Sequence, residues 1–351
     1  MIKAIKIGHR FVGGDYPPMI VAEMSGNHNR SLERALKIVD SAARIGAHAL
    51  KLQTYTADTM TFDLEGEEFF ITDESSLWKG TSLYKLYQEA HTPWQWHPQI
   101  FGRARELGLV CFSTPFDESA VDFLESLGCP AYKIASFENT DMPLICKVAA
   151  TGKPMIISTG MATEAELEET VTAARRSGCN DLVLLKCTSN YPATPDDTNI
   201  LTISDMRERF GVQVGLSDHT MGIGVAVAAV ALGATIIEKH FTLRRADGGV
   251  DSAFSLEPDE MWSLVVETER AWQALGRISY GPTDAEKSSM KFRRSLYIAK
   301  DMKAGDVLTR ENLRIVRPGY GLPPKYFDAL LGKIVRKNIP KGTAVRWDLV
   351  D

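Results

Sequence analysis

Between residues 19 and 240, short runs of nearly uninterrupted apolar residues recur, each followed by a longer segment of helical period. The runs at 19–23, 49–53, 109–113, 131–135, 155–158, 182–186, 212–216 and 234–240 read as strands buried on both faces, a situation that parallel sheets covered by helices provide. Eight βα pairs predict a closed (β/α)8 TIM barrel of the α/β class, with an open doubly wound sheet as the alternative that counting alone leaves.

Local signals support the helices. Thr163 and Glu166 have the spacing of a capping box, Leu167, Val171 and Ala174 follow on one face, and Gly178 ends the run. Asp117 and Asp141 are N-cap candidates, Gly128 and Gly233 are stops, and Pro258 suits the first turn of a last helix closing at Gly276. Two segments break the rhythm. Residues 55–93 are too long for an ordinary βα connection and predict a partly helical lid above the second strand. Residues 277–294 are polar and turn-rich, a linker, and 295–351 carry short β-type runs between AGD and PKG turns. The organisation expected is therefore a barrel with an N-terminal hairpin over 1–276, a linker, and a small, mostly β C-terminal domain.

Composition narrows the function classes. A net charge of −5 without long charged runs gives no basis for a nucleic-acid partner. The N-terminus lacks a signal-peptide core, and the longest apolar stretch, near Val225 to Leu232, is too short to cross a bilayer, so a cytoplasmic protein without a membrane partner is expected. Five scattered cysteines without a CxxC pair read as reduced thiols, and no chemistry is assigned to them.

Ligands of such barrels bind where the C-terminal strand ends open into the loops, and every predicted strand here ends in polar residues. They are Glu23; Lys51 and Gln53; Ser113 and Thr114; Lys133, Ser136 and Glu138; Ser158 and Thr159; Lys186 and Thr188; Ser217, Asp218 and His219; Glu238 and His240. A period of two places Lys51 with Gln53, and Glu238 with His240, on shared faces. Inward ammonium groups need anionic partners, either a bound phosphate and carboxylate or an internal salt bridge to Glu23 or Glu138. His219 and His240 end adjacent strands, where two imidazoles either share a divalent metal, Mn2+ or Mg2+ before zinc, or serve as hydrogen-bonding turn residues. The remaining histidines read as the latter. A Rossmann or P-loop spacing and a nucleophile elbow are both missing, whereas a Schiff-base lysine at Lys51, Lys133 or Lys186 stays open.

Eight ordered motifs, AEMSGNHN (22–29), KLQTYT (51–56), FSTPFD (112–117), PAYKIASFENTD (130–141), GKPMIISTGMAT (152–163), LLKCTSNYPA (184–193), GLSDHTMG (215–222) and EKHFTL (238–243), resemble the sialic acid synthase family. The tail, with RPGYG at 317–321, is similar to that family's antifreeze-like (SAF) domain. The resemblance implies condensation of phosphoenolpyruvate with an N-acylated amino sugar, giving a nonulosonic acid and phosphate with help from a divalent metal. It further implies a homodimer in which the SAF domain is swapped onto the partner's barrel, where Arg317 reaches the sugar. By motif, Lys51, Thr114, Lys133, Ser136, Ser158, Ser189 and Ser217 fall where phosphoenolpyruvate is held, and His219 and His240 where the metal sits. Gln53, Glu138, Tyr191 and Asp251 fall on the sugar side. One departure is Ser189 followed by Asn190, where many members have asparagine directly after Cys-Thr.

The lid sequence LYKLYQEAHTPWQWH and SFENTD resemble the branch making pseudaminic acid more than that making N-acetylneuraminate. The implied sugar is 2,4-diacetamido-2,4,6-trideoxy-altrose, whose extra acetamido group and missing 6-hydroxyl make an altered lid with Trp78, Tyr84 and Tyr87 chemically sensible. Glu23 is expected to orient or deprotonate the attacking water, with a lysine salt bridge as its alternative role. An N-acetylneuraminate or legionaminic acid synthase, a Schiff-base aldolase and a non-catalytic carbohydrate-binding protein are the competing readings.

Overall fold

The computed structural model describes residues 2–64, 66–74 and 76–351, which separate into two compact units, Met1–Gly276 and Arg277–Asp351. The first begins with an antiparallel hairpin of β1 (Ile5–Ile7) and β2 (Arg10–Val12). Parallel strands β3 (Met19–Glu23), β4 (Ala49–Thr54), β5 (Val110–Pro115), β6 (Tyr132–Ile134), β7 (Met155–Ser158), β8 (Leu182–Cys187), β9 (Gln213–Ser217) and β10 (Ile236–His240) follow. They close on themselves in chain order, β10 pairing with β3, so the open-sheet alternative is excluded. The register aligns Glu23 with Lys51 on one side and His240 on the other, which brings the polar strand ends to one mouth.

Helices α1 (Leu32–Arg44), α2 (Ala57–Met60), α3 (Leu83–Ala90), α4 (His97–Glu106), α5 (Glu118–Ser126), α6 (Met142–Ala149), α7 (Glu164–Arg176), α8 (Thr202–Phe210), α9 (Gly224–Ala231) and α10 (Pro258–Leu275) occupy the connections. Their starts obey the local signals. Asp117 caps α5, Asp141 caps α6, and Thr163 with Glu166 makes the reciprocal capping box of α7, satisfying backbone N–H groups that a helix start leaves unpaired. Buried Leu167, Val171 and Ala174 turn the same face of α7 to the sheet.

The long insertion after β4 holds α2, α3 and a bridge between Phe70 and Ser82. The indole N–H of Trp78 donates to the Val250 carbonyl at 2.9 Å, tying the middle of the insertion to the loop after β10, and that of Trp94 donates to the Tyr55 carbonyl at 3.2 Å, joining the insertion's two ends.

In the second unit, β11 (Ser295–Ile298) pairs antiparallel with β12 (Leu313–Val316). Isolated bridges such as Met302 to Ile339 extend this β character around a separate core that includes Leu296, Leu313, Leu330 and Val345. The polar 277–294 segment is compact with this unit, and its Lys291 carbonyl accepts from Gly319 N–H at 2.9 Å.

At the barrel end opposite the mouth, the hairpin lies against the start of β9. Gln213 donates through Nε2 to the Lys3 carbonyl at 2.9 Å, and Gly13 sits at φ +83° where an added Cβ would collide with the Gln213 amide. Both the left-handed backbone and the close approach require glycine there. Gly13→Ala is expected to destabilise the barrel by about 1–3 kcal/mol, read as a lowered midpoint in thermal unfolding.

Candidate active site

The mouth is built on buried charge. Lys51 Nζ lies 2.7 Å from Glu23 Oε2 and 3.6 Å from Glu238 Oε1, and Lys133 Nζ lies 3.4 Å from the same Glu238 oxygen. All four side chains are almost fully buried. Glu23 ends β3, Lys51 lies within β4, Lys133 is central in β6 and Glu238 central in β10, so each comes from a different strand of the closed barrel. Such ions persist away from water only because they neutralise one another. Burial, reinforced by Glu238 and countered by Lys51, pushes the Glu23 carboxyl above the ordinary range. For Lys51, burial is outweighed by Glu23 and Glu238, which hold the ammonium form above its usual value. Burial likewise opposes ionisation of Glu238, but Lys133 and Lys51 prevail and hold it low. Burial prevails at Lys133, which is drawn down. The salt-bridge alternative is thus realised through Glu23 and Glu238, whereas Glu138 feels Lys133 without pairing with it directly. Lys51 also donates to Thr114 Oγ1 at 3.2 Å, and Gln53 Nε2 to Glu23 Oε1 at 3.1 Å.

Beside this floor, hydroxyls converge on a backbone turn. Gly160 N–H donates to Ser136 Oγ at 3.1 Å, and a Cβ on Gly160 would collide with Ser189 Oγ and come within 2.6 Å of Ser136 Oγ. Asn139 holds the turn in place, its amide donating to the carbonyls of Ser158 (3.2 Å) and Gly160 (3.0 Å). Ser158 Oγ is buried without a hydrogen-bond partner, and Ser217 Oγ donates to Glu238 Oε1 at 3.2 Å. Small hydroxyl residues around a glycine beside two lysines form a cradle of the kind that suits a phosphate or carboxylate.

His219 and His240 meet with ring centroids 5.4 Å apart. His219 Nδ1 faces the Thr188 carbonyl at 2.9 Å, an acceptor that requires Nδ1–H, so that in the neutral ring Nε2 keeps its lone pair. His240 Nδ1 is buried without a hydrogen-bond partner, and burial, with His219 and Lys51, holds that imidazole well below its ordinary range and hence neutral. At His219 burial is outweighed by Cys187 and the Thr188 carbonyl, which hold the imidazole above its ordinary range. A cation would therefore exchange with a proton there, and with that exchange two ring nitrogens in one place fit a divalent ion. Among the described residues no group of three or more His, Cys, Asp or Glu is arranged to hold a metal, so water and substrate would complete the shell.

Period two explains how the pair is fixed. The residues between the inward ones, Asp218 and Lys239, point to the opposite face, where Lys239 Nζ reaches Asp218 Oδ2 at 2.8 Å and the Thr220 carbonyl at 2.6 Å. Asp218 Oδ1 accepts from Thr220 N–H at 2.9 Å. A fully buried ion pair therefore joins the strand ends that carry both imidazoles. Ser113 also faces away, against Thr54, which contacts His97 in turn.

A cavity of 470 Å³ opens above, with Gln53, Glu138, Ser189, Tyr191, His240 and Asp251 in its lining. Tyr191 lies 4.4 Å from the His219 ring, and burial pushes its phenol upward. Asp251 accepts from the Ser25 hydroxyl and lies 3.9 Å from His240 Nδ1. Burial, partly countered by Lys133, raises the Glu138 carboxyl to about 7. Trp78 and Tyr87 join this wall, whereas Tyr84 turns away from it and donates to Asp58 at the surface. Lys186 Nζ donates to the Cys187 carbonyl at 3.0 Å. Arg317 is exposed in the second unit, just past β12. Glu238, Gly160, Asn139 and Lys239 were not singled out as site or support residues by motif. Glu238 carried a signal in its strand-end position and shared face with His240; Gly160 lies within the quoted GKPMIISTGMAT motif.

A closed barrel with an anion cradle and an imidazole pair at its C-terminal mouth defines a ligand-binding (β/α)8 protein. The model of the NeuB family matches residues 38–280, and that of the SAF domain matches 293–351. The chain belongs to the NeuB family and carries a C-terminal SAF domain. It is 44% identical to a pseudaminic acid synthase of Campylobacter jejuni over 95% of this chain and 96% of that one. It is 42% identical to a pseudaminic acid synthase of Helicobacter pylori over 95% of this chain and 98% of that one. Among solved structures, an N-acetylneuraminic acid synthetase from Leptospira borgpetersenii in complex with citrate superposes with a TM-score of 0.74 at 31% identity, covering 84% of this chain and 97% of that one.

Lys239→Met strands Asp218 as a buried, unpaired charge and is expected to cost about 3–5 kcal/mol in urea unfolding. Asp218→Leu combined with Lys239→Met should restore much of that loss. Glu138 gives a pH signature: its raised folded pKa makes its contribution to stability complete below the unfolded value near 4.5 and lost as pH rises through about 7. Glu138→Gln should therefore stabilise the protein more at pH 8 than at pH 5, by up to about 3 kcal/mol, measured as the difference between denaturation curves at the two pH values.

Proposed function

We propose that this chain is a pseudaminic acid synthase, a phosphoenolpyruvate-dependent transferase that joins phosphoenolpyruvate and 2,4-diacetamido-2,4,6-trideoxy-β-L-altrose with water, giving pseudaminic acid and phosphate. The observation that carries the reading is the placement of Lys51 and Lys133 on either side of Glu238, next to the Ser136–Gly160–Ser189 cradle and His240. Identity above 40% to two pseudaminic acid synthases, against 31% to the N-acetylneuraminic acid synthetase, supports the choice of sugar.

In this reading Lys51, Lys133, Thr114, Ser158 and Ser217, with the cradle, hold the carboxylate and phosphate of phosphoenolpyruvate. Gln53, Glu138, Tyr191 and Asp251 position the open-chain sugar so that its aldehyde carbon faces C3 of phosphoenolpyruvate. His219 and His240 would hold a divalent ion, Mn2+ or Mg2+, whose chemistry is Lewis-acid polarisation of a carbonyl. The new carbon–carbon bond leaves C2 electron-poor. Glu23, whose buried carboxyl is raised and is therefore a stronger base than an ordinary glutamate, takes a proton from water as its oxygen bonds to C2. Loss of the remaining proton of that hydroxyl with cleavage of the C2–O bond to the phosphate then forms the 2-keto group and releases phosphate, the two protons of water ending on the former aldehyde oxygen and on phosphate. Lys51, held in its ammonium form between two carboxylates, suits charge stabilisation better than Schiff-base chemistry. We further propose that the protein acts in the cytoplasm as a homodimer with exchanged SAF domains, each Arg317 reaching the partner barrel's sugar.

Incubation with phosphoenolpyruvate, manganese and a panel of N-acylated sugars tests the reading, with phosphate release expected for the diacetamido-trideoxy-altrose. Release with N-acetylmannosamine alone would assign another sugar, and a protein that binds sugars without releasing phosphate would be a binding protein. Glu23→Gln should reduce turnover by about 10²–10⁴-fold while phosphoenolpyruvate binding by calorimetry stays near that of the parent; near-normal turnover removes Glu23 from the proton transfer.

A further inference from the structure

Ser25, two residues past the end of β3, has φ +48°, in the left-handed region that glycine occupies freely and a Cβ makes costly. The residue is buried, and its hydroxyl donates to Asp251 Oδ2 in the loop after β10. That loop does not need the bond to hold its course. The Asp251 carbonyl accepts from Ser255 Oγ at 2.7 Å, and Ser255 Oγ accepts from Asn27 Nδ2 at 2.8 Å. Asn27 Nδ2 also donates to the Phe241 carbonyl at 3.0 Å, and Trp78 holds the neighbouring Val250 carbonyl. The Ser25 hydroxyl therefore acts on the Asp251 carboxylate and not on the backbone that carries it.

The same oxygen, Asp251 Oδ2, lies 3.9 Å from His240 Nδ1, the buried ring nitrogen without a hydrogen-bond partner. Bonds of about 2.0–2.2 Å from an ion to nitrogen and oxygen let two donors up to roughly 4.3 Å apart meet on one metal. Asp251 thus stands within reach of any ion that His240 holds, and its Oδ2 is committed to Ser25 instead. A carboxylate joining the two imidazoles would fill a position with a permanent anionic ligand, whereas a metal that polarises a substrate oxygen needs that position open. We infer that Ser25 is a positioning residue that holds the Asp251 carboxylate out of the metal shell and so keeps the ion accessible to substrate. The inference rests on the reading above, in which His219 and His240 hold a divalent ion, and adds to it the device that keeps the site open.

The test is Mn2+ binding to the full chain without substrates, followed by electron paramagnetic resonance, alongside phosphate release with phosphoenolpyruvate and the sugar. Ser25→Ala is expected to bind Mn2+ about 10-fold more tightly than the parent, because the freed carboxylate joins the shell. Its kcat/KM for the sugar should fall by on the order of 10- to 100-fold. Tighter metal with slower turnover is the opposite of what general damage to the site would produce. Ser25→Gly also lacks the hydroxyl, suits the left-handed backbone, and serves where Ser25→Ala does not fold; it should shift both readouts in the same way. Adding Asp251→Ala to Ser25→Ala should return Mn2+ affinity to within about threefold of the parent. Serine variants that bind Mn2+ no more tightly than the parent, or tight binding that survives the loss of Asp251, would overturn the role of Ser25. A parent protein that binds no Mn2+ overturns the metal assignment, and the role of Ser25 with it. Parent binding of Mn2+ without phosphate release from any sugar overturns the condensation reading instead.

Discussion

Two carboxylates and two ammonium groups packed inside a barrel, each compensating the others, set the terms for the rest of this molecule. Glu23, Lys51, Lys133 and Glu238 come from four strands, and none is tolerable there without its neighbours. A one-residue slip of any of these strands would carry its charge to the helix-covered face and strand the remainder. The arrangement therefore ties barrel register to ligand chemistry: the geometry that neutralises the free protein is also the one that presents two cations beside a hydroxyl cradle.

The same alternation separates recognition from support. On β9 and β10, Ser217, Glu238 and His240 face the interior, and the following His219 joins them. Asp218 and Lys239 use the other face to lock the strand ends together. Second-face ion pairs of this sort hold first-face ligands in place without touching them. Asn139 does the equivalent for the Gly160 turn, with one amide bracing two carbonyls.

The architecture was legible because burial on both faces leaves a strand little choice of residue, and because Thr163, Asp117 and Asp141 announce their helices with capping chemistry. Strand-end position and period two led to Lys51, Lys133, His219 and His240 for the same reason. The supporting residues were harder to read. In the run EKH, polar residues occupy both faces, so hydrophobic period cannot say which is functional. Gly160 matters for an atom it lacks, and the meaning of that absence depends on Ser136 and Ser189, which lie 24 and 29 positions away in the chain. Tyr84 lies in the insertion as expected, but the direction of its hydroxyl, which bonds outward to Asp58, is set by folding and not by sequence pattern.

The indole of Trp78 spans a large sequence separation to reach the Val250 carbonyl. This contact makes the insertion after β4 and the loop after β10 a single part in two pieces of chain. Recombination among related barrels must take that into account: a transplanted insertion arrives with an indole donor whose acceptor belongs to the recipient's last loop. The exchangeable module is the pair of segments, inherited together or refitted together.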